Sequence, residues 1–194
     1  MERTVDLAPA FRHLRAVSAT DAPEPSDDAG LAGAARAGDA AAFGQLYSRY
    51  ARMVHGILLA RVPPAEVDDL VQEVFLQAWR RITSLREAAA FGGWLAMIAR
   101  NRATDYFRRS TDTAELPDTL AAADSRHTEA RAVLEAIKSL PEAYREPLLL
   151  RLVEGMTGPE IAAQTGLTPA SVRVNLHRGM KQLRAKLGRM DAHA

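Results

Sequence analysis

The chain contains no cysteine, so no disulfide, thiolate metal site or thiol redox switch can operate, and the fold rests on packing alone. No apolar run approaches the roughly 18 uninterrupted residues that a membrane span needs, and the first residues lack the basic segment and apolar stretch of a secretory signal. No membrane insertion and a cytoplasmic location are the expectation. Strand-like alternation and internal repeats are absent too. His13, His55, His127, His177 and His193 are scattered, with no pair at metal-ligand spacing beside carboxylates, so neither a metal nor a cofactor is expected. No phosphate-cradling glycine loop, nucleophile elbow or zinc-protease helix is present, which leaves enzymatic activity without residues to carry it.

What is there is ordinary globular material, 194 residues at 47% hydrophobic and 25% charged, enough for one or two small cores. The formal net charge is only +1, but its placement is uneven. Residues 1–40 hold seven acids against four arginines, and residues 111–130 hold five acids against Arg126. From Ser171 to Met190, by contrast, Arg173, Arg178, Lys181, Arg184, Lys186 and Arg189 face no acid at all. Phosphate backbone is the natural complement of such a segment.

That basic segment closes a helix-turn-helix pattern over residues 156–187. Thr157 and Glu160 form a T-x-x-E capping box at one helix start. Gly166 can take the positive φ that ends this helix, and Thr168-Pro169 supplies the next N-cap with proline at the first helical position. Val172, Leu176, Met180, Leu183 and Leu187 then line one face of the second helix, to pack on Ile161 and Leu167.

The whole chain reads as all-α, two small helical domains joined by a flexible acidic linker. Residues 1–38 have little periodicity and are expected to be a poorly ordered extension. Asp39 caps a helix carrying Phe43, Leu46, Tyr47, Tyr50, Val54, Ile57 and Leu58 at helical spacing, and Pro63-Pro64 stops it. A second helix from about Ala65 has the stripe Val67, Leu70, Val71, Val74, Phe75 and Ala78. After a loop near Thr83 to Ala89, a third carries Phe91, Trp94, Leu95, Ile98 and Tyr106, whose spacing favours core packing over base stacking. Residues 39–110 thus form one domain, 111–128 the linker, 129–188 the helix-turn-helix domain and 189–194 a tail. Within the last domain Pro141 and Pro147 are read as punctuation around the buried run from Leu148 to Val153.

Two motifs give the chain a resemblance to a known family. The run Asp68-Asp69-Leu70-Val71-Gln72-Glu73-Val74-Phe75, with Ala78-Trp79-Arg80 and then Phe91 to Arg109, resembles region two of the extracytoplasmic-function sigma factors of bacterial RNA polymerase. The helix-turn-helix resembles region four. The resemblance implies docking on the clamp of the polymerase core, melting and reading of the minus-ten element, and reading of the minus-thirty-five element, with promoter DNA bound both as duplex and melted. It also implies control by an anti-sigma protein.

Residue by residue, the resemblance points to Asp68, Asp69, Gln72, Glu73 and Gln77 as the polymerase contact, although any solvated helix can present an acidic face. The minus-ten set is Ser84, Leu85, Arg86, Arg100, Asn101, Asp105, Arg108 and Arg109. There the Ser84 to Ala90 loop is the family's pocket for an extruded base, and the arginines meet adjoining phosphates. The minus-thirty-five set is Ser171, Arg173, Val174, Asn175, His177, Arg178, Lys181 and Arg184. Arginine suits guanine and asparagine adenine, Val174 suits a thymine methyl, and Lys181 and Arg184 suit phosphates. Many relatives have a small hydroxyl residue and a basic residue where this chain has Val174 and Asn175. The residues by themselves leave two other readings open: a helix-turn-helix regulator that binds duplex DNA without polymerase, and an interaction protein whose N-terminal domain sequesters a partner.

Overall fold

The computed structural model describes residues 27–112 and 125–191, and every regular element among them is helical. The first is α1 (Asp28–Arg36), which corrects the expectation that residues 1–38 lack order. Asp27 caps it by accepting from the Gly30 N–H at 2.7 Å, and the buried Ala32 and Ala35 let it lie close against the next helix. The Asp28 carboxylate accepts from the Arg49 guanidinium at 2.5 Å and the Tyr50 hydroxyl at 2.8 Å. Burial, reinforced by that carboxylate, raises the Tyr50 phenol above its ordinary pKa. Alanines carry this packing, so the sequence shows no strong apolar stripe. Residues 1–26 lie outside the described residues.

Asp39 starts α2 (Ala40–Leu59) by accepting from the N–H groups of Ala41 and Ala42 at 2.8 and 3.0 Å. Pro63-Pro64 leads through one 3₁₀ turn into α3 (Val67–Arg81), and two further 3₁₀ turns lead into α4 (Phe91–Asp112). Leu46, Met53, Val54 and Ile57 of α2, Leu70, Val74 and Phe75 of α3, and Phe91 and Leu95 of α4 meet in one core. Phe91 packs edge-on against Tyr50 with ring centres 5.2 Å apart, so its role is packing.

The second unit comprises α5 (Ser125–Lys138), α6 (Glu142–Leu152), α7 (Gly158–Thr165) and α8 (Pro169–Asp191). Helices α4 and α5 reach into the stretch expected to be linker, and 113–124 lie outside the described residues. Likewise α8 runs past residue 188, and 192–194 are outside. Pro147 does not punctuate: it sits inside α6. Its missing N–H forfeits only a bond to the carbonyl of Ala143, an exposed residue that water can serve.

The capping box is formed as read: the Thr157 hydroxyl accepts from the Glu160 N–H at 3.3 Å, and the Glu160 carboxylate accepts from the Thr157 N–H at 2.6 Å. Those bonds hold the Glu160 carboxyl below its ordinary pKa. Gly166 takes φ 74°, and the Thr168 hydroxyl accepts from the Ser171 N–H at 3.1 Å to begin α8. Val172 and Leu183 are buried, with Leu176, Met180 and Leu187 packed beside them.

The two units are not held apart. Helix α6 packs on α2, and α7 packs on both α4 and α2. Space for this comes from glycines: a Cβ on Gly56 would stand 2.6 Å from Leu150 Cδ2, and one on Gly92 would stand 2.7 Å from the Gln164 carbonyl oxygen.

Candidate nucleic-acid interface

The expected minus-ten residues divide among three places. Ser84, Arg86 and Asn101 converge on a cleft of about 750 Å³ between the 84–90 loop and α4. The loop is held by the Ser84 hydroxyl donating to the Arg81 carbonyl at 2.7 Å, and by Leu85, which is only 3% exposed. Leu85 therefore anchors the loop in the core while also lining the floor of the cleft. Trp94 and Met97, one turn apart on α4, supply apolar wall, and Met97 is 59% exposed. The spacing of Trp94 favours core packing; the structure makes it half-buried, packed on the core and lining the cleft as well. Ala163 and Gly166 of the helix-turn-helix close the far side.

Arg100 points elsewhere. Its Nε and Nη2 donate to the two oxygens of Glu146 on α6 at 3.1 and 2.6 Å, a bidentate pair. Arg61 Nη1 reaches the same carboxylate at 2.9 Å. Glu146 is 5% exposed, so a buried carboxylate of the second unit bridges two arginines of the first. The sequence pointed to Arg100 but gave no sign of Glu146, because a glutamate before a proline in a short helix carries no pattern.

Asp105 and Arg109 line a third place, a cleft of about 490 Å³ with Glu73, Gln77, Arg80 and Arg81. Asp105 pairs with Arg108 at 3.1 Å one turn along α4. Glu73, although exposed, also accepts from the guanidinium of Arg102. Arg102 is 9% exposed, and its Nη1 is buried with no hydrogen-bond partner. Asp68, Asp69, Gln72 and Glu73 of the polymerase set thus all face outward, with Glu73 also paired to Arg102 of α4.

Next to Gln72 lies a groove of about 420 Å³ lined by Phe43, Tyr47, Phe75, Leu76 and Trp79. Leu76 is 54% exposed and Tyr47 42%, far above the normal burial of such side chains. Leu76 falls off the apolar stripe of α3, which is the signal in the sequence that could have found it.

On α8, Ser171, Val174, Arg178 and Lys181 are exposed opposite the packed stripe. Asn175 is half-buried at one margin, while Arg173 and His177 continue the other. His177, Lys181 and Arg184 line a cleft with Arg151 of α6, a cation that sequence reading passed over. Arg151 is fixed by donating to the Met156 carbonyl at 3.1 Å. The helix therefore offers a mixed polar and apolar front with a cationic flank, which is the layout for base edges beside phosphates. Among the described residues no group of three or more His, Asp or Glu side chains comes together as a metal site, and no helix is long and apolar enough to cross a membrane.

Comparison with known proteins assigns both units to one family. The Sigma-70 region 2 family matches residues 46–113, and the Sigma-70, region 4 family matches residues 130–183. The RNA polymerase sigma factor CarQ of Myxococcus xanthus is 33% identical over 159 residues, covering 77% of this chain and 91% of that protein. The ECF RNA polymerase sigma-E factor of Escherichia coli is 31% identical over 172 residues, 77% of this chain and 88% of that one. The probable RNA polymerase sigma factor RfaY of Xanthomonas campestris is 35% identical across 79% of this chain, but the match spans only 42% of its length. Among solved structures, CnrH in complex with the cytosolic domain of CnrY aligns at a TM-score of 0.62 and 28% identity, over 87% of this chain and 100% of that one. With region two and region four matched in order and nearly whole relatives aligned, the chain belongs to the extracytoplasmic-function sigma factors, the promoter-specificity initiation factors of bacterial RNA polymerase.

Proposed function

We propose the following division of labour, with residues 39–112 as the polymerase-binding and melting unit and residues from about 129 through α8 as the upstream reader. Asp68, Asp69 and Gln72, with the groove at Leu76 and Tyr47, dock on the clamp of the polymerase core. A groove flanked by acids suits a basic amphipathic helix, since apolar anchors supply affinity and the rim sets register. The Ser84–Asn101 cleft accepts an unstacked minus-ten base. Trp94 and Met97 give it an apolar wall, Ser84 and Asn101 hydrogen-bond its edge, and Arg86 meets phosphate. Val174, Arg178 and Ser171, with Asn175 at the margin, read minus-thirty-five base edges, and Arg151, Lys181 and Arg184 hold the backbone.

The observation that carries this reading is the convergence of Ser84, Arg86 and Asn101 on one cleft beside an exposed Met97 and the edge of Trp94. The protein works in the cytoplasm, has no catalytic chemistry or cofactor of its own, and is held in check by an anti-sigma protein. Solved relatives support that last partner, CnrH having been captured with CnrY.

Run-off transcription with purified core polymerase and a fragmented genomic library tests the scheme. Wild-type protein gives discrete starts sharing two upstream elements. Asp69→Arg with Gln72→Ala abolishes core binding and all starts. Asn101→Ala retains core binding and loses open-complex formation on those promoters. Loss of core binding by Asn101→Ala, or full activity of the α3 variant, would overturn the assignment.

A further inference from the structure

The docking of region four on region two engages Arg100, one of the residues expected to meet the melted strand. Glu146 bridges Arg61 and Arg100 at 2.9 and 2.6 Å, and is itself 5% exposed. A carboxylate held bidentate by guanidinium, with a second guanidinium on the same group, resembles a phosphodiester in carrying one negative charge and offering two oxygens to one guanidinium fork. Beside it, Ala163 and Gly166 form the far wall of the cleft that contains Asn101. A Cβ on Gly166 would stand 3.3 Å from the Cα of Gly93, so the turn of the helix-turn-helix rests directly on α4. Two further links staple the same face: His55 Nδ1 and the Glu154 carboxylate lie 2.7 Å apart, and Lys138 Nζ donates to the Val62 carbonyl at 2.8 Å.

This arrangement is incompatible with promoter engagement on geometric grounds. Elements centred ten and thirty-five positions upstream lie about 25 base pairs apart, roughly 85 Å along the duplex at about 3.4 Å per pair. Here the minus-ten cleft and the helix-turn-helix share a wall. A chain in this state can address one element at most, and Arg100 is already occupied.

We propose that this is a self-silenced state of the free factor. Region four competes for the promoter surface of region two by placing the Glu146 carboxylate where a strand phosphate would sit on Arg100. Binding to core polymerase, which must separate the units to span the promoter, exchanges that carboxylate for DNA. The proposal rests on the assignment of the Arg100–Asn101 side of α4 to the melted strand. It extends that assignment by naming what occupies the site beforehand. The design prevents a free factor from titrating onto single strands through its arginines, because the competing anion is tethered and therefore at high effective concentration.

The absence of cysteine makes the test direct. Ser48→Cys on α2 and Gln182→Cys on α8, both exposed, take a donor and acceptor dye in the full-length chain. The free protein is expected to show high energy transfer, which falls when core polymerase is added. Glu146→Gln keeps the shape but not the charge, and is expected to lower transfer without core. It is also expected to tighten binding of the free chain to a mixed-sequence single-stranded 20-mer. As Arg61 and Arg100 become available, the dependence of log affinity on log salt should steepen by about 0.7 to 1.4, corresponding to one or two added phosphate contacts. A merely structural bridge would not move that slope. Glu154→Gln, at a separate contact, is expected to lower transfer too, and serves if Glu146→Gln does not fold by circular dichroism.

Low transfer in the wild-type free chain would overturn the inference. So would unchanged transfer and slope in folded Glu146→Gln, or in Glu154→Gln should it stand in. If instead Glu146→Gln opens the chain but the 20-mer binds no better, the silencing by Glu146 is refuted. Run-off transcription with saturating core then separates the two readings: persistent promoter-specific starts leave the promoter assignment intact, and their loss on Asn101→Ala locates it.

Discussion

The division of α8 into a reading front and a phosphate flank can be tested by salt, because the two kinds of contact respond to it differently. Arg151, Lys181 and Arg184 line one cleft, while Arg178 lies outside it on the exposed front with Val174. A contact that neutralises a phosphate adds about 0.9 to the slope of log affinity against log salt on duplex DNA. Replacing Lys181 and Arg184 by alanine should therefore flatten that slope by about 1.8. Between 50 and 200 mM salt the variant's affinity should fall less than wild type's by a factor of about 12. Its preference among upstream sequences should not change. Arg178→Ala has a different signature: it removes a bidentate base contact worth about 1–3 kcal/mol, so it should lose about 5- to 150-fold on the preferred element and little on a scrambled one. The assay is fluorescence anisotropy of reconstituted holoenzyme on duplexes carrying either element, at four salt concentrations. The reasoning fails if Lys181→Ala with Arg184→Ala alters sequence preference at constant slope, or if Arg178→Ala weakens both duplexes equally.

Two other outcomes follow from single interactions. At the domain junction burial works to lower the His55 pKa, but the hydrogen bond and charge of Glu154, helped by Asp68, outweigh it and raise the value above that of a free histidine. Docking is therefore favoured by this pair fully below the ordinary histidine range. That contribution is lost as pH climbs through the raised value, so energy transfer between the labelled units should decline over that window and His55→Gln should flatten the decline. In the helix-turn-helix, Thr157→Ala removes one half of the capping box and should cost about 1 kcal/mol, lowering the thermal midpoint by about 2–4 °C by circular dichroism, with Thr157→Ser close to wild type.

Local rules made most of the fold legible. Asp39, Thr157, Gly166 and Thr168 mark helix ends through bonds that involve only residues within three or four positions, so the sequence displays them in full. The same holds for the stripes of α3 and α8, where period and burial coincide. What was hidden depended on partners remote in sequence. Helix α1 escaped notice because Ala32 and Ala35 bury little area, and its anchors are Arg49 and Tyr50, some twenty residues away. The depth of Leu85 was hidden because a loop residue offers no period from which to read it. Arg102 was passed over, although it is buried and pairs with the exposed Glu73 across α3 and α4.

The docking of the two units was the least legible feature, and its physical reason is specific. Gly56, Gly92 and Gly93 permit it by what they lack, and a missing side chain has no hydrophobic signature. Glu146 has the opposite defect: an acid in a helix looks solvated, and only the approach of Arg61 and Arg100 from another unit makes it a buried counter-ion. A buried ion pair of this kind adds little net stability over an apolar contact, since desolvation consumes most of its Coulomb gain. It is nevertheless well suited to being exchanged, because the arginines that close it are satisfied equally by carboxylate or phosphate. An apolar latch of the same area would hold the units together more firmly, but DNA could not replace it. Charge at Glu146 thus fits a contact that must be broken by the ligand it excludes.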